Sequence, residues 1–161
     1  MDLTNNWPKI KKHFDRSFRS NFHVSVSSVN KDKLPDVTPI GSLFLNRDQT
    51  GFYFEKYPAT IAENVTFNKN VCILGVNSNR LFWLRSLFNG YFKQYPAVKL
   101  YGILGEKRKA NEKEIARLNR RMKATKGLKG NTYLWKDMPY VRELVFTHAK
   151  ITNLGEMTKR L

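Results

Sequence analysis

The sequence predicts a mainly β, α+β fold: one small antiparallel β-barrel with a few helices on its outside. Three observations carry this expectation. Short apolar stretches, alternating with period two or continuously apolar, outnumber helical stripes. The early strands are joined by hairpin-length turns, which suit antiparallel neighbours better than a doubly wound parallel sheet. The chain has 161 residues, no internal repeat and no low-complexity linker. It therefore reads as one domain, 1–161, able to bury a sizeable core without staples.

The elements follow in order. Within an N-terminal helical segment, 1–20, residues 6–19 form a short helix with Pro8 in its first turn. FHVSVSSV (22–29) sets Phe22, Val24 and Val26 against His23, Ser25 and Ser27, a half-buried strand. VTPIGSLFL (37–45) is a second strand, interrupted by Pro39 and Gly41, which mark an edge, a bulge or a close approach to the backbone. FYF (52–54) is a third. Pro58 stops it, and Thr60 with Glu63 reads as a capping box opening a helix whose inner face holds Ile61 and Val65. NVCILGV (70–76) is a buried strand, taking Cys72 inside with it. RLFWLRSLFNGYF (80–92) carries a helical stripe of Leu81, Leu84 and Phe88, broken at Gly90. AVKLYGILG (97–105) is a fifth strand. Asn111 and Glu114 form a second capping box, opening a basic helix to about residue 124, and VRELVFTHAKITNL (141–154) is the closing strand.

The formal charge is +16, densest across 105–130. Such a field attracts anionic small molecules, nucleic acid or anionic surfaces. In the basic helix, Ile115, Leu118 and Met122 keep helical spacing while Lys113, Arg117, Arg120 and Arg121 lie around the outside. One cysteine excludes an internal disulfide and a zinc-type cluster. No apolar leader or 18-residue apolar run is present, so a cytoplasmic protein without membrane contact is expected. There is no HExxH, P-loop, GxGxxG or GxSxG motif. Of the three histidines, His13 is expected to be exposed, and His23 and His148 to be structural. A strand running onto a helix start is one way to build an anion site.

VTPIGSLFL, FYFEK, PATIAENVTFNKN, VCILGV and VRELVFTHAKITNLG, in that order, resemble the pyridoxamine 5′-phosphate oxidase-like, FMN-binding split-barrel family from about His23 to Leu154. The resemblance implies an antiparallel split barrel, a homodimer and FMN at the subunit interface. It places the ring against the second and third strands and the phosphate near the helix start. By that resemblance Pro39, Gly41 and Ser42 present backbone to the ring edge. Glu55 borders the site, Lys56 supplies charge, and Thr60 and Ile61 offer amides and a hydroxyl. Trp135 is placed as a ring that stacks at the interface, with core packing as its alternative. The family's Ser-Arg-Lys run falls on Ala59, Thr60 and Ile61, so its two phosphate-binding cations are missing here. Weaker FMN binding, another flavin, a deazaflavin or no cofactor remain open, with replacement charge from Lys56, or from Lys99 or Arg80 across the dimer. The segment 80–95 is expected to cover the cofactor cleft or the partner subunit.

Two functions follow. The first is an FMN-binding oxidoreductase acting on an anionic or redox-active small molecule, with flavin supplying the redox chemistry and no catalytic residue identified. The alternative is a basic β-barrel that binds nucleic acid without flavin, using 105–130 and exposed aromatics such as Tyr91, Phe92 and Tyr133.

Overall fold

A computed structural model describes all 161 residues. Helix α1 (Leu3–Asn21) starts earlier than its apolar spacing suggests, because Asp2 caps it by accepting from the amides of Thr4 and Asn5. Pro8 therefore lies in the second turn, where the bond its missing N–H would make is absent. The helix ends at Phe22, held left-handed at φ 62° and largely exposed, so strand β1 spans only Val24–Val29. The expected stretch 37–45 is two strands, β2 (Pro35–Ile40) and β3 (Leu43–Leu45). Next come β4 (Thr50–Phe54), α2 (Ala59–Asn64), β5 (Asn70–Val76) and α3 (Arg80–Asn89). The chain continues with β6 (Ala97–Lys109), α4 (Glu112–Arg121), α5 (Lys129–Trp135) and β7 (Tyr140–Ile151). The basic segment 105–130 is thus divided among the end of β6, α4, a 3₁₀ turn at Met122–Thr125 and the start of α5.

All seven strands form one antiparallel sheet in the order β2-β1-β5-β6-β7-β4-β3. Its two edge strands are consecutive in the chain. Only Gly41 and Ser42 separate β2 from β3, and three Cα steps reach at most about 11 Å. The sheet must therefore curl until its edges meet, which is a split barrel. The long strands β6 and β7 make the curl possible by serving both halves: β6 pairs with β5 and β7, and β7 carries β4. Their pairing shifts between Tyr101 and Gly102 and between Leu104 and Lys107, where bulges bend the ladder. A Cβ on Gly102 would stand 2.7 Å from the Val145 carbonyl oxygen, so the first bulge requires glycine.

Two apolar clusters hold this together. In the larger, Trp7, Ile10, Phe14 and Phe18 of α1 pack against Val24, Ile73, Val98, Leu100 and Leu144, with Ile61 and Val65 joining from the α2 segment. In the smaller, Phe44, Phe52 and Phe54 meet Leu118, Met138 and Val141, so it lies beneath α4 and the α5–β7 connection. His13 belongs inside: it is buried, its Nε2 lies 2.8 Å from the Gly75 carbonyl oxygen, and burial pulls its pKa below the usual 6.5. Cys72 is half-buried, not enclosed, because on β5 it points to the face opposite the buried Val71 and Ile73.

Candidate cofactor site

The Gly41–Ser42 crossover is fastened to β4 by one hydroxyl. Ser42 Oγ donates to the Phe54 carbonyl and accepts from the Phe54 amide, both at 3.2 Å, which gives two strand groups a partner at the sheet's break. Beyond Phe54 the ladder runs one residue further, from the Glu55 amide to the Tyr140 carbonyl at 3.0 Å. Glu55 is buried and pairs two-pronged with Arg142 of β7, at 2.6 and 3.0 Å. Arg142 also donates to the Gly105 carbonyl at 3.1 Å. Its burial works against the charged form, yet the Glu55 hydrogen bonds win and raise its pKa. The Tyr53 hydroxyl is buried beside this pair without a hydrogen-bond partner, and burial drives its pKa up.

Helix α5 sits over the crossover. Its Trp135 ring lies so close to Gly41 that a Cβ there would stand 2.9 Å from Cη2, and 3.2 Å from the Phe22 carbonyl oxygen on the other side. Gly41 is thus where an indole and the end of α1 meet backbone. Two hydrogen bonds tie the same region to the β4–α2 junction. Lys56 Nζ donates to the Lys136 carbonyl at 2.7 Å, and the Tyr57 hydroxyl donates to the Tyr133 carbonyl at 2.7 Å. No residue of α5 is fully buried; Trp135 is half-buried against the smaller apolar cluster.

Gly41, Ser42, Glu55, Lys56 and Trp135, drawn from three separate stretches of sequence, are therefore gathered around one crossover. Pro39 is exposed on the edge strand β2, paired with Ser25. Thr60 is exposed on α2, while the Ile61 side chain is wholly buried in the main core, leaving only its backbone for a ligand. The capping box expected at Thr60 and Glu63 does not form. The helix starts at Ala59 with Pro58 as its cap, placing Thr60 inside the first turn. The box at Asn111 and Glu114 does form, and Arg108 braces it with bonds to Glu114 at 2.8 and 2.9 Å. Burial of Glu114 works to raise its pKa, but the Arg108 and Asn111 hydrogen bonds hold it low.

Charge periodicity hid two residues. Arg117 and Arg121 do not face solvent. Arg117 donates to Asn46 Oδ1 and the Leu45 carbonyl at 2.7 and 3.0 Å, and lies over the Phe44 and Phe52 rings. Arg121 donates to the Leu43 carbonyl at 2.6 Å and covers Phe44 and Phe18, its guanidinium 3.7 and 4.3 Å from the ring centroids. Both cover the open edge of β3, a place where unpaired carbonyls need donors. Four residues apart on one helix, they share a face, and that spacing was the available signal. No group of three His, Cys, Asp or Glu side chains converges on a metal site, and no helix is long and apolar enough to cross a membrane.

No protein-family model and no curated protein matches the sequence. Solved structures do match in shape. An FMN-binding protein from Syntrophomonas wolfei aligns over 95% of this chain and 96% of its own, with TM-score 0.60 and 12% identity. HutZ, the heme storage protein of Vibrio cholerae, aligns over 89% of this chain and 92% of its own, at TM-score 0.56 and 15% identity. An F420 reductase aligns over 80% of this chain and 88% of its own, at TM-score 0.50 and 10% identity. These three carry different ligands by name, so their shared architecture fixes shape and not cofactor. Over nearly its whole length, the chain has the split-barrel fold of the pyridoxamine 5′-phosphate oxidase-like, FMN-binding proteins.

Proposed function

We infer that the protein is a flavin-binding oxidoreductase, active as a homodimer with FMN at the subunit interface. The observation that carries this reading is the convergence of Gly41, Lys56 and Trp135 at the crossover of a split barrel, where the resemblance in sequence puts the flavin. The residues fit such a group at its phosphate end through Lys56 and the exposed Thr60 hydroxyl. They fit its ring end with Trp135 as a face or cover, since the indole already lies on Gly41. When bound, flavin supplies hydride or electron transfer. The chain's own groups would do the rest: Lys56 neutralises phosphate, Trp135 and α5 exclude water, and the Glu55–Arg142 pair keeps the crossover rigid. Ile103 and Val145, exposed and adjacent on the outer face of β6 and β7, offer apolar area for a second subunit. The nucleic-acid reading loses ground because Arg117 and Arg121, two of the cations it needs, are already tied to carbonyls and rings.

The test is a visible spectrum of the purified protein, followed by titration of apo-protein with FMN, riboflavin, F420 and haem. FMN is expected to bind at least about tenfold tighter than riboflavin, a difference worth about 1.4 kcal/mol and within reach of one charge-assisted contact. Lys56→Ala with Thr60→Ala should remove that difference, and light scattering should show a dimer. A protein that ignores both flavins refutes the reading.

A further inference from the structure

A second concave region lies away from the crossover, between the C-terminal half of α1 and the start of α3. It is a cavity of about 290 Å³ lined by Arg16, Arg19, Ser20, Asn77, Asn79 and Gln94, with Phe82 its one apolar wall. A second cavity of about 330 Å³ continues from it, sharing Asn79, Phe82 and Gln94 and adding Arg85, Lys93 and Tyr91. The two together have the size of a small-molecule site and share no residue with the crossover.

The charge here is uncompensated. None of Arg16, Arg19, Arg85 and Lys93 takes part in any of the molecule's ion pairs, and no carboxylate lines either cavity. The sequence has no Asp or Glu between Glu63 and Glu106, so β5, α3 and the part of β6 up to Gly105 are without acid. Asp15, beside Arg16 in the chain and one helical turn before Arg19, forms an ion pair with neither. Glu156, near Tyr91 through the 3₁₀ turn that carries it, is paired with Lys159. Two guanidinium groups one helical turn apart, beside three carboxamides and a hydroxyl, match the oxygen-rich surface of a phosphate. The neighbouring cavity adds two cations and one aromatic ring, Tyr91, beside the shared Phe82. We propose that this groove binds a phosphorylated small molecule with a flat ring. Its phosphates lie between Arg16 and Arg19 and its ring along Phe82 and Tyr91.

Inorganic pyrophosphate and ADP are the probes, followed by calorimetry on the full chain. Both should bind saturably at one site, with ADP the tighter. Arg16→Ala with Arg19→Ala should weaken both at least about tenfold. Lys123→Ala with Lys126→Ala removes the same charge elsewhere and should change neither. In the wild-type protein, pyrophosphate should also protect Arg16 and Arg19 from phenylglyoxal, a readout that needs no variant to fold. Absence of saturable binding, an equal loss in both double variants, or modification unaffected by pyrophosphate overturns the proposal. FMN titration separates it from the flavin reading: FMN affinity that survives Arg16→Ala with Arg19→Ala supports a separate site. FMN affinity that collapses with it assigns the groove to flavin and overturns the separate site.

Discussion

Replacing Glu55 by Gln tests whether the crossover depends on its buried ion pair. The change keeps the side chain's size and removes its charge. Arg142 would keep its bond to Gly105 and at most one to the new amide oxygen, while an NH2 that cannot accept replaces the other of the two carboxylate oxygens now at 2.6 and 3.0 Å. The side chains are only 3% and 11% exposed, so water cannot replace what is lost. Leaving a buried charge without its partner costs roughly 3–5 kcal/mol. At about 2–4 °C per kcal/mol for a chain of this size, that corresponds to a fall of roughly 6–20 °C in Tm. Denaturant unfolding followed by tryptophan fluorescence gives the free energy directly, and Glu55→Leu with Arg142→Met completes the comparison. That double replacement should recover most of the loss, because an apolar pair of similar volume pays no desolvation penalty. A Glu55→Gln loss under about 1 kcal/mol would mean that the pair is solvated in solution and does not organise the crossover.

Two further outcomes are expected. Gly41→Ala should displace Trp135 or strain the end of α1, destabilising by about 1–3 kcal/mol. Trp135→Ala in the same chain should relieve part of that loss, which a double-mutant cycle would show; additive effects would refute the contact. His13 has a depressed folded pKa, so between that value and the usual 6.5 the unfolded state binds more protons than the folded one. Its contribution is fully present above about pH 6.5 and is lost as pH falls through the folded pKa. Denaturation midpoints measured between pH 7.5 and 5 should therefore fall, and His13→Gln should flatten that slope. An unchanged slope would place the imidazole in water.

Local chemistry made much of this protein legible. Alternation of Val24 and Val26 with serines, the continuous run at 70–76 and the Asn111–Glu114 box each describe forces acting within a few residues, and each element stands where those forces put it. Gly90 ends α3 in the left-handed conformation that its missing Cβ permits. Gly41 was marked as a point of close approach, and it is one. What approaches, Trp135, comes from 94 positions away. Periodicity failed where an element faces two environments. The stripe of Leu81, Leu84 and Phe88 has helical spacing, but α3 buries Ser86 and turns those three residues outward. Arg117 and Arg121 look like solvated charge, but they cover a strand edge. His13, on a helix that looks exposed on that side, faces Gly75 from inside. The sequence by itself determined which stretches become strands and which become helices, though not every boundary, because propensity, capping and alternation act over a few bonds. Tertiary structure alone decided that 37–45 should split between opposite edges of one sheet. It also decided which glutamate Arg142 meets and which cations remain unpaired, because long-range pairing depends on how the whole sheet curls.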